Sequence, residues 1–357
     1  MNFNLDLMLP YEQEVRDAVQ RVITEKQFIL GKNVRAFEAA WAAFTGQRYA
    51  VGVGNGTDAI RLALLALGIK PGDEVISPAF NVAYTALAVT SIGAVNKFVD
   101  CGDDMLMDPH ALEAEVTDRT RAIIPVHLFG TVCNMDQISV YARNAMIVED
   151  CAQAHGAVDQ MGNNPGWFSQ AAAYSFYPTK NLGALGEAGG VTTNIEVVAE
   201  RLRLLRDGGR TDRYLHVLPG INSCLDEMQA AVLSVKLQYL EQRNQQRRQH
   251  ARRYLDQLTN VGDLVLPAKN DVYHLFVVRT KERERLLAHL TAAGIPALVH
   301  YPVPVPYQPC FMESRMGGPW PKAEAAAREV LSLPMHADLT KQDQDRVVAS
   351  IREFYGE

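Results

Sequence analysis

Residues Ala171 to Gly190 read AAAYSFYPTKNLGALGEAGG. Small and β-prone residues as far as Phe176 predict a buried strand, and Pro178, Gly183 and Gly186 after it predict a loop. One lysine, Lys180, stands in that loop, five residues beyond Ser175. A lone lysine is ordinarily a surface residue. Here the small residues and glycines around it let a ligand approach closely, which is where an amine that condenses with a carbonyl would be held.

Outward from this segment, short β-rich runs alternate with helical patterns between about residues 49 and 194. The expected strands are Tyr49 to Val53, Glu74 to Ser77, Lys97 to Val99, Ala122 to Val126, Met146 to Glu149, Ala172 to Phe176 and Gly190 to Thr193. Helical patterns at Asp58 to Leu67, Val82 to Ile92 and Met135 to Asn144 are long enough to be crossovers, so the fold class is α/β with a mostly parallel seven-stranded sheet. Ser223, with Asp226 three residues later, has the form of a capping box opening a long helix that bridges two domains. Its second half carries Arg243, Arg247, Arg248, Arg252 and Arg253 among glutamines, the pattern of a solvated face. Beyond it, Tyr273 to Thr280 alternates as a strand and Glu282 to Ala293 reads as a helix. The expected division is a large domain over 1–240 and a small α+β domain over 241–357.

Two further segments carry chemistry. In Val51 to Thr57 (VGVGNGT), glycines crowd between a strand and a helix. Exposed N–H groups and the positive end of a helix dipole make such a turn a phosphate cradle, although a merely tight βα turn would read the same. The glycine spacing is not G-x-G-x-x-G and there is no G-K-[ST], so neither a dinucleotide fingerprint nor a P-loop is present. Ile147 to Gly156 (IVEDCAQAHG) is a strand ending in Glu149 and Asp150, with Gln153 and His155 beyond it. Ligands of open α/β sheets sit beyond the carboxyl ends of strands, so Asp150 points at a site unless it only caps a helix after the strand.

Composition removes other classes. The chain has 357 residues, 48% hydrophobic and 21% charged, with 35 Lys plus Arg against 41 Asp plus Glu. A net charge of −6 lacks the basic excess of a nucleic-acid binder. The longest apolar run in a helical stretch, Leu62 to Ile69, is far short of the roughly 20 residues of a membrane span. Met1 to Pro10 has no positive region ahead of an apolar core, so the expectation is a cytoplasmic protein. The five cysteines are odd in number, widely spaced and without a C-x-x-C pair, which argues against a disulfide framework and a zinc site.

A phosphate cradle, a carboxylate, an amide donor and an amine on one sheet form the set needed to hold pyridoxal phosphate. The aldehyde needs an amine, and a carboxylate facing the pyridine nitrogen keeps it protonated so that the ring can accept electrons.

With these segments in place the chain resembles the nucleotide-sugar aminotransferases of the DegT/DnrJ/StrS type, pyridoxal-phosphate enzymes with the aspartate-aminotransferase fold. The resemblance runs from about Arg35 to Pro306. It rests on GNGTDA at Gly54 to Ala59, PGDEVISP at Pro71 to Pro78, PVHLFG at Pro125 to Gly130, EDCAQAHG at Glu149 to Gly156, SFYPTKNLG at Ser175 to Gly183, GINSCLDEMQAAVL at Gly220 to Leu233 and HYPVP at His300 to Pro304.

The resemblance implies that Lys180 forms the Schiff base and moves the proton, that Asp150 pairs with the pyridinium nitrogen, and that Gln153 bonds the ring hydroxyl. It implies that Gly56, Thr57 and Ser175 bind the phosphate, and that Asn222 reaches the same phosphate from the partner of a homodimer. The implied reaction moves nitrogen from L-glutamate to a nucleotide-linked keto-deoxysugar, dTDP-linked and closer to the 3-keto than the 4-keto type. A keto-cyclitol aminotransferase and a non-catalytic regulatory relative are the alternatives. A dehydratase is disfavoured because relatives of that kind replace the lysine with histidine. His300 and Tyr301 are candidates for the substrate mouth, or else pack between domains. Three positions depart from the family pattern: Val82 where an aromatic commonly stacks on the ring, Cys224 where an arginine is common, and Pro306 where a histidine is common.

Overall fold

The computed structural model describes residues 11–268, 272–313 and 316–357; the segment Met1 to Pro10 lies outside them. Two helices, α1 (Glu12–Glu25) and α2 (Lys32–Thr45), precede the sheet. The large α/β layer then runs β1 (Tyr49–Val53), α3 (Gly56–Ala66), β2 (Glu74–Pro78), α4 (Tyr84–Ser91), β3 (Val95–Val99), α5 (Pro109–Glu115), β4 (Thr120–Ile123), α6 (Met135–Tyr141), β5 (Met146–Asp150), β6 (Ala171–Ser175), β7 (Gly189–Thr193) and α7 (Glu196–Leu205). Helices α8 (Glu227–Leu237) and α9 (Leu240–Leu258) lead to β8 (Phe276–Arg279), α10 (Arg283–Ala292), β9 (Met316–Gly317), α11 (Pro321–Glu329), β10 (Val330–Leu333) and α12 (Lys341–Tyr355).

The main sheet has the order β1-β7-β6-β5-β4-β2-β3-β9. All seven expected strands are present, and the two-residue β9 adds an eighth at the edge, parallel to β3. Only β7 runs against its neighbours β1 and β6, so the sheet is mostly parallel. Strands β2 and β7 are buried along their whole length, as strands covered by helices on both faces must be. Helix α3 fills the space between the cradle and the sheet with Ala59, Leu62, Ala63 and Ala66, all within 2% of complete burial. Burying a leucine such as Leu62 contributes roughly 1.5–3 kcal/mol. A second, antiparallel pair, β10 with β8, is packed by α9, α10 and α12 around Tyr254, Phe276 and Leu290. Among the described residues no helix is long and apolar enough to cross a membrane.

Two expectations fail here. The helix after residue 223 is capped by Asp226, whose side chain accepts from Gln229 N, and it breaks at Gln238 and Tyr239 before α9 begins. Ser223 is not the cap; its hydroxyl is drawn to Asp58, a charged acceptor brought up by α3. The arginines of α9 are not a uniformly solvated face either. Arg243 and Arg247 are buried at 5% and 0% exposure. Arg243 pairs with Asp338, and Arg247 donates to the carbonyls of Tyr273, His274 and Met335. The packing of α9 against the C-terminal segments supplies these acceptors, and helical periodicity alone cannot foresee them.

Candidate active site

The phosphate-sized cradle forms where β1 ends and α3 begins. Asn55 is the cap of α3, its Oδ1 accepting from Asp58 N at 2.8 Å while its Nδ2 donates to Asp58 Oδ2 at 3.0 Å. Ser223 Oγ also donates to Asp58 Oδ2, at 2.7 Å, and Ser223 receives the Gly54 N–H on both its Oγ and its carbonyl. These bonds fix the turn while leaving the first N–H groups of α3 for a ligand. The antiparallel pairing of β6 with β7 sets Ser175 opposite Gly189. A Cβ on Gly189 would lie 2.3 Å from the Asn55 carbonyl, and one on Gly56 would lie 2.5 Å from Ser175 Cβ. Gly56 and Ser175 therefore meet, with Thr57 next along α3, and glycine is required for that approach.

At the carboxyl end of β5, Asp150 is 4% exposed. Its Oδ2 accepts from Thr85 Oγ1 at 2.7 Å and its Oδ1 from Ala152 N at 3.1 Å. No buried cation neutralises it through a direct ion pair among the described residues, so the carboxylate retains acceptor capacity for a cationic ligand. Gln153 is buried beside it. The Gln153 Oε1 accepts from Phe129 N at 2.6 Å, and its Nε2 donates to Tyr301 Oη at 3.0 Å. Phe129 adopts φ of 61°, a left-handed conformation uncommon away from glycine, which its N–H contact with Gln153 helps to hold.

Lys180 lies beyond β6, its N–H closing a turn to the Tyr177 carbonyl at 2.9 Å. Burial lowers its amine to about 8, and the Asp150 carboxylate pulls the other way. Three imidazoles share its surroundings. Burial and the Lys180 charge together hold His155 down at about 3 and His300 at about 4, and push His274 well below its ordinary value. The Tyr301 phenol is pushed up to about 12 by burial, so it stays neutral while its oxygen accepts from Gln153. His300 Nδ1 lies 2.9 Å from Ser332 Oγ. The two residues expected at a substrate mouth thus sit by Gln153 and near Lys180. Asn222 is exposed, on a strand-like bridge to Asp207, with its successor Ser223 turned inward to the cradle.

At the positions that depart from the family pattern, Val82 is half-buried, Phe80 is in the core against Phe129, and Tyr84 is 61% exposed. Cys224 is half-buried with its Sγ 3.5 Å from the Arg206 carbonyl, and Pro306 is buried. Sequence reasoning missed Asn81, Thr85, Asp58 and His274. Thr85 lies in a plain helical pattern, and nothing local announces its partner 65 positions away.

Behind the site, Glu149 points to the other face of β5. His127 Nε2 lies 2.7 Å from Glu149 Oε2, Cys133 N donates to His127 Nδ1 at 3.1 Å, and Gly166 N donates to Glu149 Oε1 at 2.8 Å. Since Nδ1 is an acceptor, the network assigns the proton to Nε2. His127, Glu149 and Cys151 lie close enough together to hold a metal ion. That proton, however, occupies the lone pair a metal would need, and the network closes on itself.

The model of the DegT/DnrJ/EryC1/StrS aminotransferase family matches residues 11–352. The chain belongs to this family. It is 44% identical to a dTDP-3-amino-3,4,6-trideoxy-alpha-D-glucose transaminase of Streptomyces venezuelae, over 98% of this chain and 95% of that one. It is 43% identical to a pleiotropic regulatory protein of Geobacillus stearothermophilus, over 98% of both. The solved structure of DesV from S. venezuelae with a ketimine intermediate superposes with a TM-score of 0.95 at 43% identity, covering 99% of this chain and 98% of that one. This aminotransferase therefore has the fold class, enzyme class and cofactor that the resemblance implied, and the solved relatives include one holding pyridoxamine phosphate. The donor set fits pyridoxal phosphate: free N–H groups and a hydroxyl at the cradle, an incompletely neutralised buried carboxylate, and an amine whose pKa is lowered.

Proposed function

We propose that this aminotransferase moves the amino group of L-glutamate to a nucleotide-linked keto-deoxysugar, and that the acceptor is a dTDP-linked 3-keto-6-deoxyhexose. The observation that carries the reading is Lys180, an amine lowered to about 8 beside Asp150 and at the end of the strand that carries Ser175. The NSCLDE and HYPVP segments, and the dTDP-3-amino sugar named for the S. venezuelae relative, support the sugar class.

Each residue has a part. Lys180 would hold the cofactor through its amine, and its Nζ would carry a proton to and from the substrate carbon. Pyridoxal phosphate, when bound, supplies the electron sink for negative charge at that carbon. Asp150 holds the proton of the ring nitrogen and Gln153 bonds the ring hydroxyl. Gly56, Thr57 and Ser175 bind the phosphate through N–H and hydroxyl groups. His300 and Tyr301 orient the sugar at the mouth.

The assembly is a homodimer in which Asn222 completes the site of the partner subunit. Phe28, Ile29, Leu185 and Met228 support it. They are exposed apolar residues on the face carrying the Lys180 loop, linked by the bonds from Glu227 N to Phe28 O and from Leu185 N to Gln229 Oε1. The division into a large domain over 1–240 and a small one over 241–357 goes with this reading.

The test tracks the visible spectrum of protein loaded with pyridoxal phosphate, then given L-glutamate and, separately, dTDP-linked 3-keto and 4-keto sugars and a keto-cyclitol. Loss of the visible band with glutamate and its return with the 3-keto sugar is the expected result. Return only with the cyclitol or the 4-keto sugar overturns the acceptor, and a band indifferent to L-glutamate overturns the donor and favours the non-catalytic reading.

A further inference from the structure

Asp150 Oδ2 meets a hydroxyl whose own partner is fixed. Asn81 Nδ2 donates to Thr85 Oγ1 at 2.8 Å, and Thr85 Oγ1 donates to Asp150 Oδ2 at 2.7 Å. All three residues are at most 4% exposed. The Oδ1 of Asn81 has no hydrogen-bond partner among the described residues, so the amide is held there by what it donates. Were the amide flipped, Oδ1 would compete for the only proton of Thr85, and a carboxylate is the stronger acceptor. The carboxylate therefore takes the Thr85 proton, and the Asn81 amide faces the hydroxyl as its donor.

We propose that Asn81 and Thr85 are positioning residues that orient the Asp150 carboxylate toward the ring nitrogen of the cofactor. With the hydroxyl already accepting from Asn81, its proton has to go to Asp150. Oδ2 is thereby held in place as an acceptor. Oδ1 accepts from Ala152 N, which leaves the remaining acceptor capacity of the carboxylate for the ring. The relay rests on the role proposed for Asp150 at the ring nitrogen. The charged or titratable groups that also act on this region are Lys180, Tyr301 and Cys151.

The experiment compares wild type with Thr85→Val, Thr85→Ser and Asn81→Leu. The readouts are the dissociation constant of pyridoxal phosphate and the pH midpoint of the visible band, with apoprotein melting as the folding control. Thr85→Val is expected to weaken cofactor binding about tenfold and to raise the midpoint by about one pH unit, as the ring nitrogen loses a carboxylate held in line with it. Thr85→Ser restores both. Asn81→Leu gives a smaller shift that vanishes in the Thr85→Val background, because the two act in series. Wild-type behaviour of Thr85→Val overturns the relay, as does a loss in Thr85→Ser equal to that in Thr85→Val, which would assign the effect to the methyl group. Wild-type protein that captures no pyridoxal phosphate would instead overturn the reading of Asp150 itself, and the relay with it.

Discussion

Glu149 and Asp150 are consecutive carboxylates at the end of one strand, both nearly inaccessible, and they have opposite surroundings. Strand geometry sends them to opposite faces. On one face Glu149 is answered by the His127 ring and the Gly166 N–H, and the His127 ring by Cys133, a network with its donors matched to its acceptors. On the other, Asp150 receives one hydroxyl and one N–H and opens toward Lys180 and Gln153. A buried charge by itself is therefore no sign of a site; the sign is a buried charge whose hydrogen bonding is left incomplete on the side of a cleft.

The comparison can be tested from both faces. On the open face, Lys180→Ala is expected to lower transamination on the order of 10⁴-fold, measured in single turnovers, with the apoprotein still folded. Asp150→Asn is expected to lower it on the order of 10²–10³-fold with little change in melting temperature. If either variant mainly unfolds the protein, the distinction between the faces is broken. On the closed face, Glu149→Gln sets an amide donor against one of its present donors. It is expected to destabilise the fold by about 2 kcal/mol in denaturant titration while leaving cofactor affinity nearly unchanged.

Smaller effects sharpen the same picture. Gly56→Ala places a methyl 2.5 Å from Ser175 Cβ and should weaken pyridoxal phosphate binding about tenfold by displacing the cradle. Finally, the rate at which apoprotein captures the cofactor should rise with pH through about 8, because burial lowers the Lys180 amine and only its neutral form attacks an aldehyde. The folded pKa lies below the ordinary lysine value of 10.5, so the unfolded chain holds this proton longer. Stability contributed at Lys180 therefore increases as pH rises from about 8 toward 10.5, and the slope disappears in Lys180→Met.

Much of the site was legible because its signals are local. The glycines of VGVGNGT, the acid closing the IVED strand and the lysine in a loop of small residues each announce themselves within a short stretch of chain. The partners that orient them do not. Thr85 meets Asp150 and Ser223 meets Asp58 only after β-strands and helices distant in sequence are set side by side. The same reason explains the two errors. Ser223 spaced three before Asp226 satisfies a capping pattern, yet α3 offers its hydroxyl a carboxylate. The arginines of α9 satisfy the pattern of a solvated face, yet Arg243 and Arg247 are covered by chain from around Met335 and Asp338, far along the sequence.

The amino-acid sequence by itself determined the α/β class and the positions of the seven long strands, and its motifs carried the resemblance to the family. Class and strands come from periodicity and turn chemistry, and the resemblance from short motifs, all of which are written over short stretches of chain. The tertiary structure alone decided which of two adjacent carboxylates faces the cleft with bonding capacity to spare, and which hydroxyl orients it. Hydrogen bonds between buried groups depend on distance and direction, and those exist only once the sheet order has brought remote segments into contact.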